Sequence, residues 1–181
     1  KKAFGFRVIR TEDRAQLIKR IWAAPTFEVH GLVGGYSGPG VKTVVPPSGQ
    51  LKVSTRLVPN QNPKKIFSQL KAFLKKHNPD IRLECDGQLE PFRGVTGGPY
   101  AEALRSAVEV GFGKSPSFIR EGGSIGAVKL MDRAWKVPIL FMGLSLPEHG
   151  YHAPNEFFDW DQASGGRRAF VRYFSLLAGM P

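Results

Sequence analysis

Few segments of this chain carry residues that could do chemistry. The run Leu146-Pro147-Glu148-His149-Gly150-Tyr151-His152-Ala153-Pro154-Asn155-Glu156 holds an H-x-x-H pair and two carboxylates. Neutral imidazole is a good zinc ligand, but a tightly held zinc takes three or four protein ligands, so such a histidine needs further ligands from elsewhere. A loop histidine is more often a partly buried polar side chain than a ligand. Arg120-Glu121-Gly122-Gly123-Ser124 is a second candidate. Paired glycines let backbone N–H groups come close to a ligand, and they equally well make an ordinary tight turn. Arg56 sits on the polar side of an alternating run; its guanidinium fork can grip a carboxylate through two parallel hydrogen bonds, or simply face water. Thr43 offers a hydroxyl within a Gly/Pro-rich stretch. Cys85 is the single cysteine, which excludes a disulfide framework and a cysteine-based zinc finger.

The elements that must position these groups follow from periodicity. Residues 11–22 read as a short helix with Thr11 as N-cap, acids in the first turn and Leu17, Ile18 and Ile21 on one stripe. Phe27 and Val29, with Leu32 a further candidate, suggest a strand, followed by a Gly/Pro-rich loop. Residues 50–57 alternate: Leu51, Val53, Thr55 and Leu57 face one way and Gln50, Lys52, Ser54 and Arg56 the other, as in a half-buried strand. Asn62-Pro63 is a cap followed by proline at the first helical position. The helix after it runs to His77 with Ile66, Phe67, Leu70, Phe73 and Leu74 on its apolar stripe and most of its lysines off it. Residues 81–90 read as a strand. From residue 91 the character changes, and a boundary is expected there. A helix over about 99–111 presents Tyr100, Ala103, Leu104, Ala107 and Val108. A short strand is expected at 116–120, and residues 137–144 read as a strand buried on both faces. The last helix begins near Asp159, with Gln162 placed for a capping box and Phe170, Val171, Phe174 and Leu177 on its stripe.

Composition bounds the class. The 181 residues, 41% hydrophobic and 23% charged, suit one ordinary domain or two small ones. No apolar run is long enough to span a membrane, and no apolar signal segment stands at Lys1. The net charge is +11, and residues 1–90 hold 16 basic and 7 acidic groups against 10 and 8 in residues 91–181. Such a basic half fits a nucleic-acid or acidic-lipid partner, or a protein whose acidic groups lie on another piece.

Trp22-Ala23-Ala24-Pro25, then Gly40-Val41-Lys42-Thr43-Val44-Val45-Pro46, then Arg56-Leu57-Val58-Pro59-Asn60 occur in that order, followed by residues 117–128 and 143–158. Together they resemble the later part of a dizinc exopeptidase of the carnosine dipeptidase, aminoacylase and carboxypeptidase G2 type, closest to the carnosine dipeptidase branch. The resemblance implies an α+β, partial ferredoxin-like lid or dimerisation domain over 1–92. It implies an α/β closing strand-and-helix segment of the catalytic domain over 93–181. It implies a zinc cofactor, two ions in the intact enzyme, with manganese or cobalt as alternatives, and metal-assisted amide hydrolysis of a small peptide or acyl-amino-acid substrate. It further implies a homodimer formed through the lid, a cytoplasmic location, and neither nucleic acid nor membrane as partner.

Residue by residue, the resemblance makes His152 the last metal ligand and Arg56 the clamp for the substrate's terminal carboxylate. Glu121 would meet the substrate amine, and Gly123 and Ser124 would hold polar groups. Thr43 would reach substrate, in relatives of this type from the partner subunit. His149 is read as a solvated loop histidine and His30 as structural. Glu156 either orients the His152 loop or is a surface carboxylate. The family's H-x-D motif and Glu-Glu pair are absent from this sequence, so no catalytic base is assigned and the chain by itself is expected to be inactive. Two rival readings are a basic nucleic-acid-binding module, for which the Lys-rich helix is the main support, and a non-catalytic dimerisation module.

Overall fold

In the computed structural model, residues 7–122 and 125–180 are described; Gly123 and Ser124 lie outside them. The chain divides into two compact units. One comprises described residues 15–92 with 121–122, and the other 7–14, 93–120 and 125–180.

The first unit is α+β. Helix α1 spans Arg14–Ala23. It starts later than the sequence pattern suggests, because Thr11 is used up in a turn: its Oγ1 accepts from the Asp13 N–H at 3.2 Å. Strands β1 (Thr26–Gly34) and β2 (Gly49–Arg56) pair antiparallel. Their register sets Phe27 opposite Thr55, Val29 opposite Val53 and Leu32 opposite Leu51, with a shift between Val29 and Gly31. His30 is therefore the extra residue of a β-bulge. The bulge explains why the apolar positions of β1 run 27, 29, 32 while those of β2 keep strict alternation. Gly31 suits its place, since a Cβ there would lie 3.2 Å from the Lys52 side chain.

Helix α2 (Pro63–His77) begins as the Asn62-Pro63 pattern requires, with the Asn62 side chain accepting from the Lys65 N–H at 3.1 Å. Ile66, Phe67, Leu70 and Leu74 are half-buried, while Lys64, Lys65, Lys71, Lys75 and Lys76 are exposed. Residues 81–90 do not form the expected strand. A strand is a ladder, and the sheet of the described residues holds only β1 and β2. Instead, Ile81 and Leu83 share a cleft with Leu74, Lys71 and Lys75 of α2.

The second unit is helical, which corrects the α/β expectation for it. Helices α3 (Pro99–Phe112) and α5 (Trp160–Leu177) pack together, and α4 spans Gly126–Trp135. Small residues make their contact: Ala101, Ala103, Ala107 and Gly111 of α3 and Gly165 and Ala169 of α5 are buried, with Gly111 against Gly165 and Ala169, while the buried Gly166 lies against Leu144. The stripe expected for α5 is thereby corrected. Phe170, Val171 and Phe174 are exposed, and the packed face is the one that lets two backbones approach. Arg168 seals the seam by donating from Nε (3.2 Å) and Nη2 (2.8 Å) to the Gly111 carbonyl, a cation at the C-terminal end of α3.

Neither expected strand of this unit forms. Residues 116–120 are irregular, with the Arg105 guanidinium 4.8 Å from the Phe118 ring centroid. Residues 137–144 form no ladder, and Val137 and Phe141 are half exposed instead of buried on both faces. Their apolar run lies against Gly94, where a Cβ would come within 3.2 Å of the Ile139 carbonyl. Helix α4 was not legible in the sequence, because Gly122–Gly126 reads as a loop and the run after it mixes charge with apolar residues.

Candidate functional site

The HAPNE loop is the most constrained segment that carries functional groups. It leaves a 3-10 turn over Pro147–His149 and enters α5 at Asp159. The turn closes through the His149 N–H donating to the Leu146 carbonyl at 3.0 Å. The loop's two ends are tied by the Phe157 N–H donating to the His149 carbonyl at 3.1 Å, and its interior by Ala153 N–H to Gly150 carbonyl at 2.9 Å. Within it Gly150, His152 and Asn155 have φ of 64°, 64° and 62°. For a residue with a Cβ the left-handed region costs about 1–2 kcal/mol, so its use at His152 needs the surrounding bonds to hold it. The His152 ring is exposed, edge-on to Tyr151 at 6.0 Å between centroids. Glu156 is exposed in the same loop.

His149 corrects the expectation of a solvated side chain. It is 1% exposed, the largest fully buried side chain of the described residues. Its Nδ1 accepts from the Leu146 N–H at 3.1 Å, and its Nε2 lies 2.7 Å from Asp159 Oδ2. Phe157 and Phe158 cover the ring at 5.0 and 5.7 Å between centroids. Asp159 is also the N-cap of α5, its Oδ1 accepting from the Gln162 N–H at 2.7 Å. That backbone donor first, and the His149 ring second, hold the Asp159 carboxyl below the usual aspartate range. Sequence reasoning identified Asp159 as the start of α5 but missed its buried partner. The available signal was a histidine closing a Pro-to-Gly turn beside two phenylalanines.

The other candidate groups sit in the first unit. Arg56 ends β2 on its polar side, exposed, with its backbone N–H donating to Thr26 Oγ1 at 3.3 Å. Thr43 is exposed in the connection over residues 35–48, which folds on Tyr36: the Tyr36 hydroxyl donates to the Pro39 carbonyl at 2.9 Å, and Lys42 Nζ lies 5.9 Å from the ring centroid. Glu121 is exposed, and its Oε1 accepts from the Gly122 N–H at 3.2 Å. His30, at the bulge, is exposed. Among the described residues no three His, Cys, Asp or Glu side chains come together, so these residues do not form a metal site on their own. None of the described helices is long and apolar enough to cross a membrane.

Residues 4–82 match the family model of the peptidase dimerisation domain. The chain is 28% identical over 191 residues to a Cys-Gly metallodipeptidase of Schizosaccharomyces pombe, covering 99% of this chain and 39% of the relative. It is 27% identical over 174 residues to a rat Beta-Ala-His dipeptidase, covering 92% of this chain and 35% of the relative. Among solved structures, an M20 family metallo-carboxypeptidase from Sulfolobus solfataricus superposes with a TM-score of 0.86 at 27% identity, over 97% of this chain and 41% of that one. Over residues 4–82 the chain is thus similar to the peptidase dimerisation domain, over nearly its whole length it is similar to these peptidases, and it spans well under half the length of these relatives.

Proposed function

We propose that this chain supplies the lid and the closing catalytic segment of a metal-dependent peptidase that hydrolyses the amide bond of dipeptides or N-acylated amino acids. The observation that carries this reading is the similarity to metallodipeptidases over 92–99% of the chain. The constrained, exposed imidazole of His152 supports it. In this reading His152 is one ligand of a metal whose other ligands lie outside this chain, zinc being the ion best suited to imidazole and carboxylate donors. When bound, such a metal supplies a water of lowered pKa.

Arg56 takes the substrate's terminal carboxylate. Its place at the end of a strand fixes the base of the side chain while leaving the guanidinium at the surface. Glu121 meets the substrate's amine, Gly123 and Ser124 hold polar groups of the substrate, and Thr43 reaches substrate from a partner subunit. The lid is completed toward a ferredoxin-like layer by strands beyond β1 and β2. In this reading residues 1–92 are the lid and 93–181 the catalytic segment, a division supported by the unit change between Phe92 and Arg93, although residues 7–14 group with the second unit and 121–122 with the first; the assembled protein is a cytoplasmic homodimer.

The test is the metal-loaded full-length protein with a panel of dipeptides. Hydrolysis that is lost on chelation and restored by zinc is the expected result. His152→Ala should lose metal and activity together. A His152→Ala protein with full metal content and normal turnover would remove His152 from the site.

A further inference from the structure

The HAPNE loop stands on a side-chain bridge whose imidazole is buried, and the bridge has a defined proton arrangement. The Leu146 N–H points at His149 Nδ1, so that nitrogen carries a lone pair. The only hydrogen left for a neutral ring sits on Nε2 and is donated to Asp159 Oδ2 at 2.7 Å. The second Asp159 oxygen is taken by the Gln162 N–H at the first turn of α5. One imidazole thus links the 3-10 turn at the start of the loop to the helix at its end. The ring is 1% exposed, so its two nitrogens are shielded from water, while the Asp159 carboxylate stays 36% exposed.

We propose that His149 is a positioning residue for His152: through its Nε2–H tautomer it locks the Pro147–His149 turn to the N-cap of α5, and the lock holds residue 152 in its left-handed conformation with the ring outward. This rests on the reading of His152 as a metal ligand. The argument is geometric. Residues 149–157 are closed by a single backbone bond, the Phe157 N–H to the His149 carbonyl. A second tether between the same ends stops the loop from relaxing His152 back to an ordinary backbone conformation. Phe157 and Phe158 pack on the ring, so the tether and the loop's exit are one unit.

The experiment uses the full-length, zinc-loaded protein and measures the rate of zinc loss to a chelator alongside kcat. Asp159→Asn keeps an oxygen for the Gln162 N–H but turns an amide N–H2 toward His149, so the ring must change tautomer and lose the Leu146 bond. Zinc loss about tenfold faster than wild type is expected, in the range of partners that orient metal ligands. His149→Phe should match it. His149→Gln, which keeps a donor near the Nε2 position, should recover most of the wild-type rate, a rescue that simple loss of packing would not give.

Nitrogen-15 spectra of labelled histidine in the unmodified protein should report His149 protonated at Nε2 and bare at Nδ1; the opposite tautomer overturns the proposal whatever the variants do. Wild-type zinc loss in both Asp159→Asn and His149→Phe, with His152→Ala losing zinc, overturns the lock and spares the ligand. Retention of zinc by His152→Ala overturns the ligand reading itself.

Discussion

At the scale of single residues, Arg56 and Asp159 make opposite demands on their surroundings. Arg56 has its backbone N–H tied to Thr26 at the strand end and is exposed. Its proposed work is recognition, so Arg56→Met in the full-length protein should lower kcat/KM for a dipeptide far more than for the corresponding C-terminal amide. Loss of a charged, hydrogen-bonded contact costs about 2–5 kcal/mol when the partner is desolvated. Equal losses on the two substrates would make Arg56 structural.

Asp159 works on stability instead. Its carboxyl is held low by the Gln162 N–H and then by His149. A depressed folded pKa stabilises fully above the ordinary aspartate value of about 3.9, and that stabilisation is lost as pH falls through the folded value. Urea midpoints of wild type and Asp159→Asn should therefore differ by a steady amount above about pH 5 and converge only as pH falls below the folded aspartate value. A gap independent of pH would mean that the carboxylate charge contributes nothing. Asp159 was legible as a cap because caps are local. His149 was not, because its burial depends on Phe157, Phe158 and α5, and a histidine in a Pro/Gly turn reads as solvated until those partners are known.

Among the elements, the helices were largely legible and the isolated strands were not. Asn62-Pro63 set the start of α2 through contacts within one turn. Replacing Asn62 with alanine should cost about 1 kcal/mol in an equilibrium unfolding measurement on the unit that contains it. Residues 81–90, 116–120 and 137–144 have strand-like patterns, yet a strand exists only with a hydrogen-bonding neighbour, and the sequence does not state who the neighbour is.

The face of α5 misled for another reason. Large apolar residues dominate a periodicity argument, while the α3–α5 seam is made by glycine and alanine. The seam makes a sharp prediction. A Cβ on Gly111 would fall 2.5 Å from the Gly165 carbonyl oxygen and 2.9 Å from Ala169 Cβ. Gly111→Ala would gain up to about 1 kcal/mol of helix propensity elsewhere in a helix. Here overpacking against backbone should outweigh it and leave a net loss of about 1–3 kcal/mol, read as a lower urea midpoint. A stabilised Gly111→Ala variant would show that the helices separate without cost.

At the scale of the whole molecule, what matters is the apolar surface each unit leaves uncovered. The β1–β2 ribbon presents Phe27, Val29, Leu32 and Leu51 on one face, all more than half exposed, and among the described residues β1 and β2 are both edges. In the other unit Phe170 and Phe174 stack at 6.2 Å between centroids on an open face of α5. Apolar burial contributes about 25 cal/mol per Å², so faces of this kind favour covering, and open strand edges favour pairing with another strand. The 181-residue chain on its own should therefore self-associate and, lacking a cluster of three metal-binding side chains among its described residues, should not hydrolyse dipeptides with added zinc. Sedimentation equilibrium at about 10–100 micromolar, where weak interfaces begin to fill, should give a mass above the 20.0 kDa of one chain. Leu32→Lys with Leu51→Lys places charge on the ribbon face and should shift the population toward monomer, as expected if the dimerisation domain associates through that ribbon. Phe170→Lys with Phe174→Lys acts on the other unit and separates the two surfaces. If the ribbon variant leaves the mass unchanged while the α5 variant yields monomer, association runs through the helical unit and the lid-dimer proposal fails for this chain.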